Sequence, residues 1–189
     1  SIWVFLSMKQ FLLLIILIFS HQDLVSQQFY TDKGVTKFDG SKAAFEPIKA
    51  TNNNSISIID SKTGQIAAVI LISQFEFRLG LMQEHFNENY LESNIYPKST
   101  FEGNIKEFDV KNLSENVMIH EITGDLTIKG VAKKISTIAE ISKLDNQIKI
   151  KSDFSIMLSD FGVKIPKIVF KKIDEEVKIS LNFTYDKKQ

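Results

Sequence analysis

Apolar and polar residues alternate along much of this chain with a period of two. Near the end, Ile173, Val177, Ile179, Leu181, Phe183 and Tyr185 take one side, and Asp174, Glu176, Lys178, Ser180, Asn182, Thr184 and Asp186 the other. Glu175 is the single break. Such a pattern predicts an antiparallel strand with one buried and one solvated face. Ile148, Ile150, Phe154, Ile156 and Leu158 repeat it against Lys149, Lys151, Asp153 and Ser155. Between Val117 and Lys129 the inner set reads Met118, Ile122, Leu126 and Ile128, and the outer set Glu121, Thr123, Asp125, Thr127 and Lys129. Val131, Ile135, Ala139 and Ile141 continue it, with Lys133, Lys134 and Thr137 interleaved. Gln65–Ser73 is apolar on both faces and predicts a central strand. Phe75, Phe77 and Leu79 alternate with Gln74, Glu76 and Arg78, and Phe101 and Ile105 mark a shorter strand.

Turn chemistry separates these runs. Ser61–Gly64 and Lys143–Asn146 read as hairpin turns, and Lys129-Gly130 as a tight turn or bulge. Many strands at this spacing predict a sandwich or barrel. One segment departs from the period: in Gly80–Pro97, Met82, Phe86 and Tyr90 fall four residues apart with Leu81 and His85 beside them. They form one helical face, while Asn87, Asn89 and Asn94 disfavour a long helix and Pro97 ends it. The segment predicts a short helix or ordered lid across one end of the barrel.

The amino-terminal segment changes the expected compartment. Met8-Lys9-Gln10 precedes an unbroken apolar run from Phe11 to Phe19, closed by Ser20-His21-Gln22-Asp23. That is the layout of a secretory signal peptide, and the run is shorter than the roughly 20 residues a membrane anchor needs. The expectation is a signal peptide over residues 1–27, with Met8 as the start, Ser1–Ser7 as an upstream extension and cleavage near Ser26 or Gln27. Residues 28–189 then form one domain, periplasmic or secreted, with no stable membrane anchor. The sequence holds no cysteine, which excludes disulfides and thiolate metal sites. Its 23 basic residues balance 23 acidic ones, and Arg78 is the only arginine. Neither fact suits a nucleic-acid partner.

Candidate chemistry is sparse. His85 and His120 are the histidines beyond the leader, too few for a zinc site. His85 reads either as a polar contact to a ligand head group or as a lid histidine bonded to a carbonyl, and His120 as a core histidine. Glu84 and Glu88 would face solvent, and nothing forms a set of nucleophile, base and orienter, so no enzyme activity is expected. Lys164, Lys167, Lys171 and Lys172 read as a solvated face offset by Asp174, Glu175 and Glu176. The 15 phenylalanines carry more weight. Phe75, Phe77, Phe86, Phe101, Phe154 and Phe161 gather near the strand–lid junctions, while Gly124, Ala139 and Ser152 leave room on the inner faces.

Three stretches resemble a known family. Thr123-Gly124-Asp125-Leu126-Thr127-Ile128-Lys129-Gly130-Val131 followed by Lys133, His85 followed by Tyr96-Pro97 and Phe101, and Ser159-Asp160-Phe161-Gly162-Val163 are similar to segments of YceI-like proteins. The resemblance implies a lipocalin-like antiparallel barrel of about eight strands with a short helical lid and a tunnel for an isoprenoid, quinone or fatty-acid-like lipid. It implies no further cofactor, and it admits a homodimer. Two departures stand out: Met82-Gln83-Glu84-His85-Phe86 lacks the acidic and basic pair the family places before its histidine, and Leu158 stands where the family often has arginine. The expected ligand contacts are Met82, His85, Phe86 and Tyr90 on the lid; Phe75, Phe77, Phe101, Phe154 and Phe161 at the junctions; and Leu126, Ile128, Ile156 and Leu158 on the walls. A packed barrel serving as a protein-interaction or stress-response module is the alternative.

Overall fold

The period-two runs become the staves of a closed barrel. The computed structural model describes residues 27–43, 45–166 and 172–188; the signal-peptide expectation, and Lys167 and Lys171 of the basic cluster, lie outside them. The strands are β1 (Gln28–Ser41), β2 (Lys49–Asp60), β3 (Gln65–Leu71), the two-residue β4 (Glu76–Phe77), β5 (Lys98–Ile105), β6 (Met118–Ile128), β7 (Val131–Leu144), β8 (Gln147–Met157) and β9 (Ile173–Lys187). The eight long strands pair antiparallel in sequence order, and β1 closes the sheet by bonding both β2 and β9. Closure at this strand number leaves an interior just wide enough for packed side chains or one small ligand. β1 shifts register against β2 on both sides of Gly34, where a Cβ would lie 2.7 Å from the Phe183 ring. Bulges of this kind bend a strand around a barrel corner.

The turns follow the local sequence. Lys129 (φ 50°) and Gly130 (φ 76°) join β6 to β7 in a two-residue turn, with Ile128 paired to Val131. Positive φ at both positions is the turn that matches strand twist. Asp145 (φ 52°) opens the two-residue turn that joins β7 to β8, and Gly64 (φ 73°) closes the turn after β2. These positions put the β2–β3 and β7–β8 turns and the 106–117 connection at one end, the floor. The 42–48 loop, the segment between β3 and β5, the Lys129-Gly130 tip and the connection after β8 lie at the other, the mouth.

The floor is solid. Phe29, Ile59, Ile105, Ile141, Ile148 and Tyr185, each at most 2 % exposed, belong to one cluster that plugs it. His120 belongs to this end as well: its Nδ1–H donates to the Lys106 carbonyl at 3.0 Å, its ring edge faces Phe108, and its Nε2 is buried without a partner. This is a structural histidine. Tyr185 is fully buried, and that burial pushes its phenol well above the ordinary tyrosine range. The unfolded phenol ionises near about pH 10 while the folded one stays protonated. Its stabilising share is therefore complete below that pH and is lost above it. Urea midpoints measured from pH 8 to 11.5 should fall more steeply for the wild type than for Tyr185→Phe; parallel curves would refute this.

Several expectations need correction. Met118, expected inside, is 36 % exposed, because it lies at the lower edge of the barrel beyond the plug. Thr137, expected outside, shares the inner face of β7 with Ile135 and Ala139, and Ile138 points outward at 57 % exposure. The 65–73 run leaves the sheet at Leu71 and turns through a 3₁₀ segment, Ile72–Gln74. The alternation of Phe75, Phe77 and Leu79 yields only the short β4, which pairs with Ala50 and Thr51 of β2.

Candidate functional site

Above the plug the barrel is hollow. A cavity of about 470 Å³ runs from the plug to the mouth, lined by inner-face residues of the long strands and by the lid. That volume lies within the usual range for small-molecule sites. Its wall is apolar for most of its height: Ile70, Phe101, Leu126, Ile128, Phe154 and Ile156 are representative. The small residues on the inner faces keep it open. Gly103 and Gly124 face each other across β5 and β6, and Phe101 Cζ lies 2.7 and 2.6 Å from where their Cβ atoms would stand. The ring therefore lies flat over two glycines instead of projecting into the lumen. This explains the glycine of the Thr123-Gly124-Asp125 stretch.

The lid is α1 (Gly80–His85) followed directly by a π turn, Phe86–Tyr90. π turns inside helices are frequent at functional sites. Neither piece has a capping side chain and neither buries a residue fully, so the lid is held from its underside and its ends. Underneath, the Phe86 ring stacks on Phe38 at 5.2 Å and meets Phe77 at 5.0 Å and Phe75 at 5.6 Å, while Phe38 itself meets Phe75 and Phe77 edge-on. Edge and offset contacts of this kind stabilise by about 0.5–1.5 kcal/mol per pair beyond area burial. At its far end, Glu92 pairs with Lys129 at the β6–β7 tip, and Tyr96 packs where a Cβ on Gly130 would stand. The Tyr96-Pro97 and Ile128-Lys129-Gly130 motifs thus meet in space as the seat of the lid. Arg78, just before the lid, pairs with Glu46 of the 42–48 loop.

Polar groups in the cavity occupy two zones. At the mouth are Glu46, His85 and Lys172; His85 is exposed and makes no hydrogen bond with another described residue. Tyr90 packs against the buried cluster of Ile156, Phe161, Val163 and Val177, and desolvation raises its phenol pKa above the ordinary value. Lower down are neutral hydroxyls. Ser57 donates to the Ala67 carbonyl at 2.8 Å, so its only proton is spent and Tyr185 must donate to it across 2.9 Å. Ser152 likewise donates to the Ile138 carbonyl, and Thr137 to Ser152. Thr36 bonds Ser55 at 2.8 Å, with Asn52 behind it.

Among the expected contacts, Phe75, Phe77, Phe86, Phe101 and Phe154 line the cavity, as do Met82, His85, Tyr90, Leu126, Ile128, Ile156 and Leu158. Phe161 does not. It lies in the 3₁₀ turn Leu158–Phe161, 2 % exposed, and packs behind the wall with Ile156, Val163 and Val177. The turn rotates it off the strand period, so Leu158 faces the lumen in its place. Glu84 and Glu88 are exposed on the lid, and Lys164 and Lys172 are exposed beyond β8. Among the described residues no three His, Cys, Asp or Glu side chains cluster as metal ligands, and no helix is long and apolar enough to cross a membrane. Sequence reasoning missed Phe38 and the hydroxyls of β1 and β2. Their strands carry few apolar residues, and Phe38 next to an alternating Thr36 was the only available signal.

The sequence matches the family described as YceI-like domain over residues 24–185. No curated protein matches it significantly. Among solved structures, a polyisoprenoid binding domain from Saccharophagus degradans, implicated in plant cell wall breakdown, is similar over 85 % of this chain and 98 % of its own, with a TM-score of 0.74 and 14 % identity. BcnA of Burkholderia cenocepacia aligns over 80 % and 96 % at 0.66 and 18 %. The Campylobacter jejuni YCEI protein aligns over 78 % and 90 % at 0.63 and 18 %. At these identities the likeness is one of fold.

Proposed function

This chain belongs to the YceI-like family, and from that premise we propose that it binds and carries a long-chain apolar or amphiphilic molecule, isoprenoid, quinone or fatty-acid-like, inside its barrel. The observation that carries the reading is the hollow between plug and lid, walled by apolar side chains. A chain entering it leaves water at about 0.8 kcal/mol per methylene, and a dozen methylenes outweigh the cost of association. No loud polar motif is needed for that, which accounts for the sparse chemistry of the sequence. The polar end of an amphiphile would meet His85, Glu46 and Lys172 at the mouth. The leader segment, with an exported protein as its consequence, fits the same role: a carrier for molecules that water excludes. Binding without catalysis is the matching proposal for its chemistry.

Organic extraction of the purified protein followed by mass spectrometry tests the reading. A stoichiometric lipid, or saturable uptake of a prenyl, quinone or fatty-acid probe by emptied protein, is the expected result. Protein that comes away empty and takes up none of these probes would instead be a packed interaction module.

A further inference from the structure

Among the hydroxyls that the strands contribute to the lumen, one differs from the others. The protons of Ser57 and Ser152 go to backbone carbonyls, those of Tyr185 and Thr137 go to these serines, and Thr36 is paired with Ser55. Ser99 lines the same cavity and is 8 % exposed, yet its hydroxyl has no hydrogen-bond partner among the described residues. It lies on β5 one residue beyond the Thr100–Thr127 pair, on the inner face with Phe101, near the end of the strand that leads from the lid. The Ser99 oxygen is not sealed inside the protein, so a molecule in the lumen can reach it. Of the strand hydroxyls in the lining, Ser99 alone is left for an atom of a bound molecule to meet.

Resting on the carrier reading above, we infer that Ser99 is the specificity-determining contact for a neutral oxygen, a carbonyl or hydroxyl, carried part-way along the bound chain. A neutral group is favoured because the strand neighbours of Ser99 on the inner face, Ile70 on β3 and Ile128 on β6, are apolar and offer no counter-charge. An anion at Ser99 would be buried without a counter-charge, and that is far costlier than burying a carbonyl. The Ser99 hydroxyl can donate to a carbonyl oxygen, or exchange a bond with an alcohol. Neighbouring wall positions offer Phe101 and Ile128, against which only methylenes fit.

The test is a set of octadecanones differing only in the position of the carbonyl, titrated into delipidated protein by displacement of a fluorescent fatty-acid probe. One isomer, or two adjacent ones, should bind about five- to tenfold tighter than the rest, the worth of one net hydrogen bond. Ser99→Ala should level the series without lowering the binding of its weaker members, and Ser99→Thr should keep the preference. A wild-type series that binds but is flat, or a preference that survives Ser99→Ala, overturns the role of Ser99 and leaves the carrier standing. Ketones and probe that all fail to bind overturn both.

Discussion

Phe86→Asp should abolish uptake of a long-chain probe while leaving the far-ultraviolet circular dichroism of the sheet unchanged. Between the anchors at its two ends, this ring is the lid's main hold on the barrel beneath it. Six residues of α-helix are too short to persist alone, and α1 has no capping side chain. The Phe86 ring contacts Phe38, Phe75 and Phe77, each within 5.6 Å between centroids. Truncating a well-packed phenylalanine costs about 3–5 kcal/mol, and a carboxylate among three aromatic faces adds a desolvation penalty. The substituted lid leaves its seat and opens the cavity to water. A loss of at least about 100-fold in probe affinity follows, since about 2.7 kcal/mol suffices for it. The barrel is unaffected because its sheet closes through β1, β2 and β9 without the lid. Phe86→Leu should lose far less. Equal uptake by wild type and Phe86→Asp would remove the lid from the site.

The second large effect concerns the wall. Gly124→Val should cost more than about 4 kcal/mol and leave little folded protein at 37 °C, a size reserved for backbone or core disruption. A Cβ at this position would lie 2.4 Å from the Glu102 carbonyl, 2.6 Å from the Gly103 Cα and 2.6 Å from the Phe101 ring. Two of these three are backbone, so no rotamer change relieves the clash. Moving the Phe101 ring would in addition push it into the lumen. Gly80→Ala is the control, because a Cβ there meets nothing within 4 Å and alanine favours helix; its melting temperature should equal or exceed the wild type's. A Gly124→Val protein melting within two degrees of wild type would show that β5 and β6 can separate at this point.

These sites were unequally legible in the sequence. On β6, β8 and β9 the inner faces are apolar for most of their length, so alternation gave strand, face and most of the lumen wall. The lid was legible from Met82, Phe86 and Tyr90, but not its seat, because the meeting of Tyr96 with Gly130 and of Glu92 with Lys129 is set by the barrel's closure. β1 and β2 escaped because their buried positions include Thr31, Thr36, Asn52, Ser55 and Ser57. A strand whose interior side chains satisfy one another by hydrogen bonds has no hydrophobic period to detect. Phe38, which stacks on Phe86, was missed with its strand. Phe161 erred in the opposite sense: it is buried as expected, but a 3₁₀ turn does not preserve the strand's facing. Ser99 could not be singled out either, because its importance lies in the partner it lacks.

The order of strands has a consequence for how the molecule is made. Among the eight long strands, every pairing but one joins neighbours along the chain and can form as soon as the next stretch is synthesised. The exception is β1 with β9, which brings Phe29 opposite Lys187. Until β9 arrives, β1 and β8 each expose a row of unpaired backbone groups, the form in which sheets join other chains. The nascent barrel is therefore an open ribbon until β9 is made, and β9 converts it into a closed one. Assembly of the barrel is thus most vulnerable to aggregation just before β9 arrives, when the longest unclosed sheet is waiting for its closing stave.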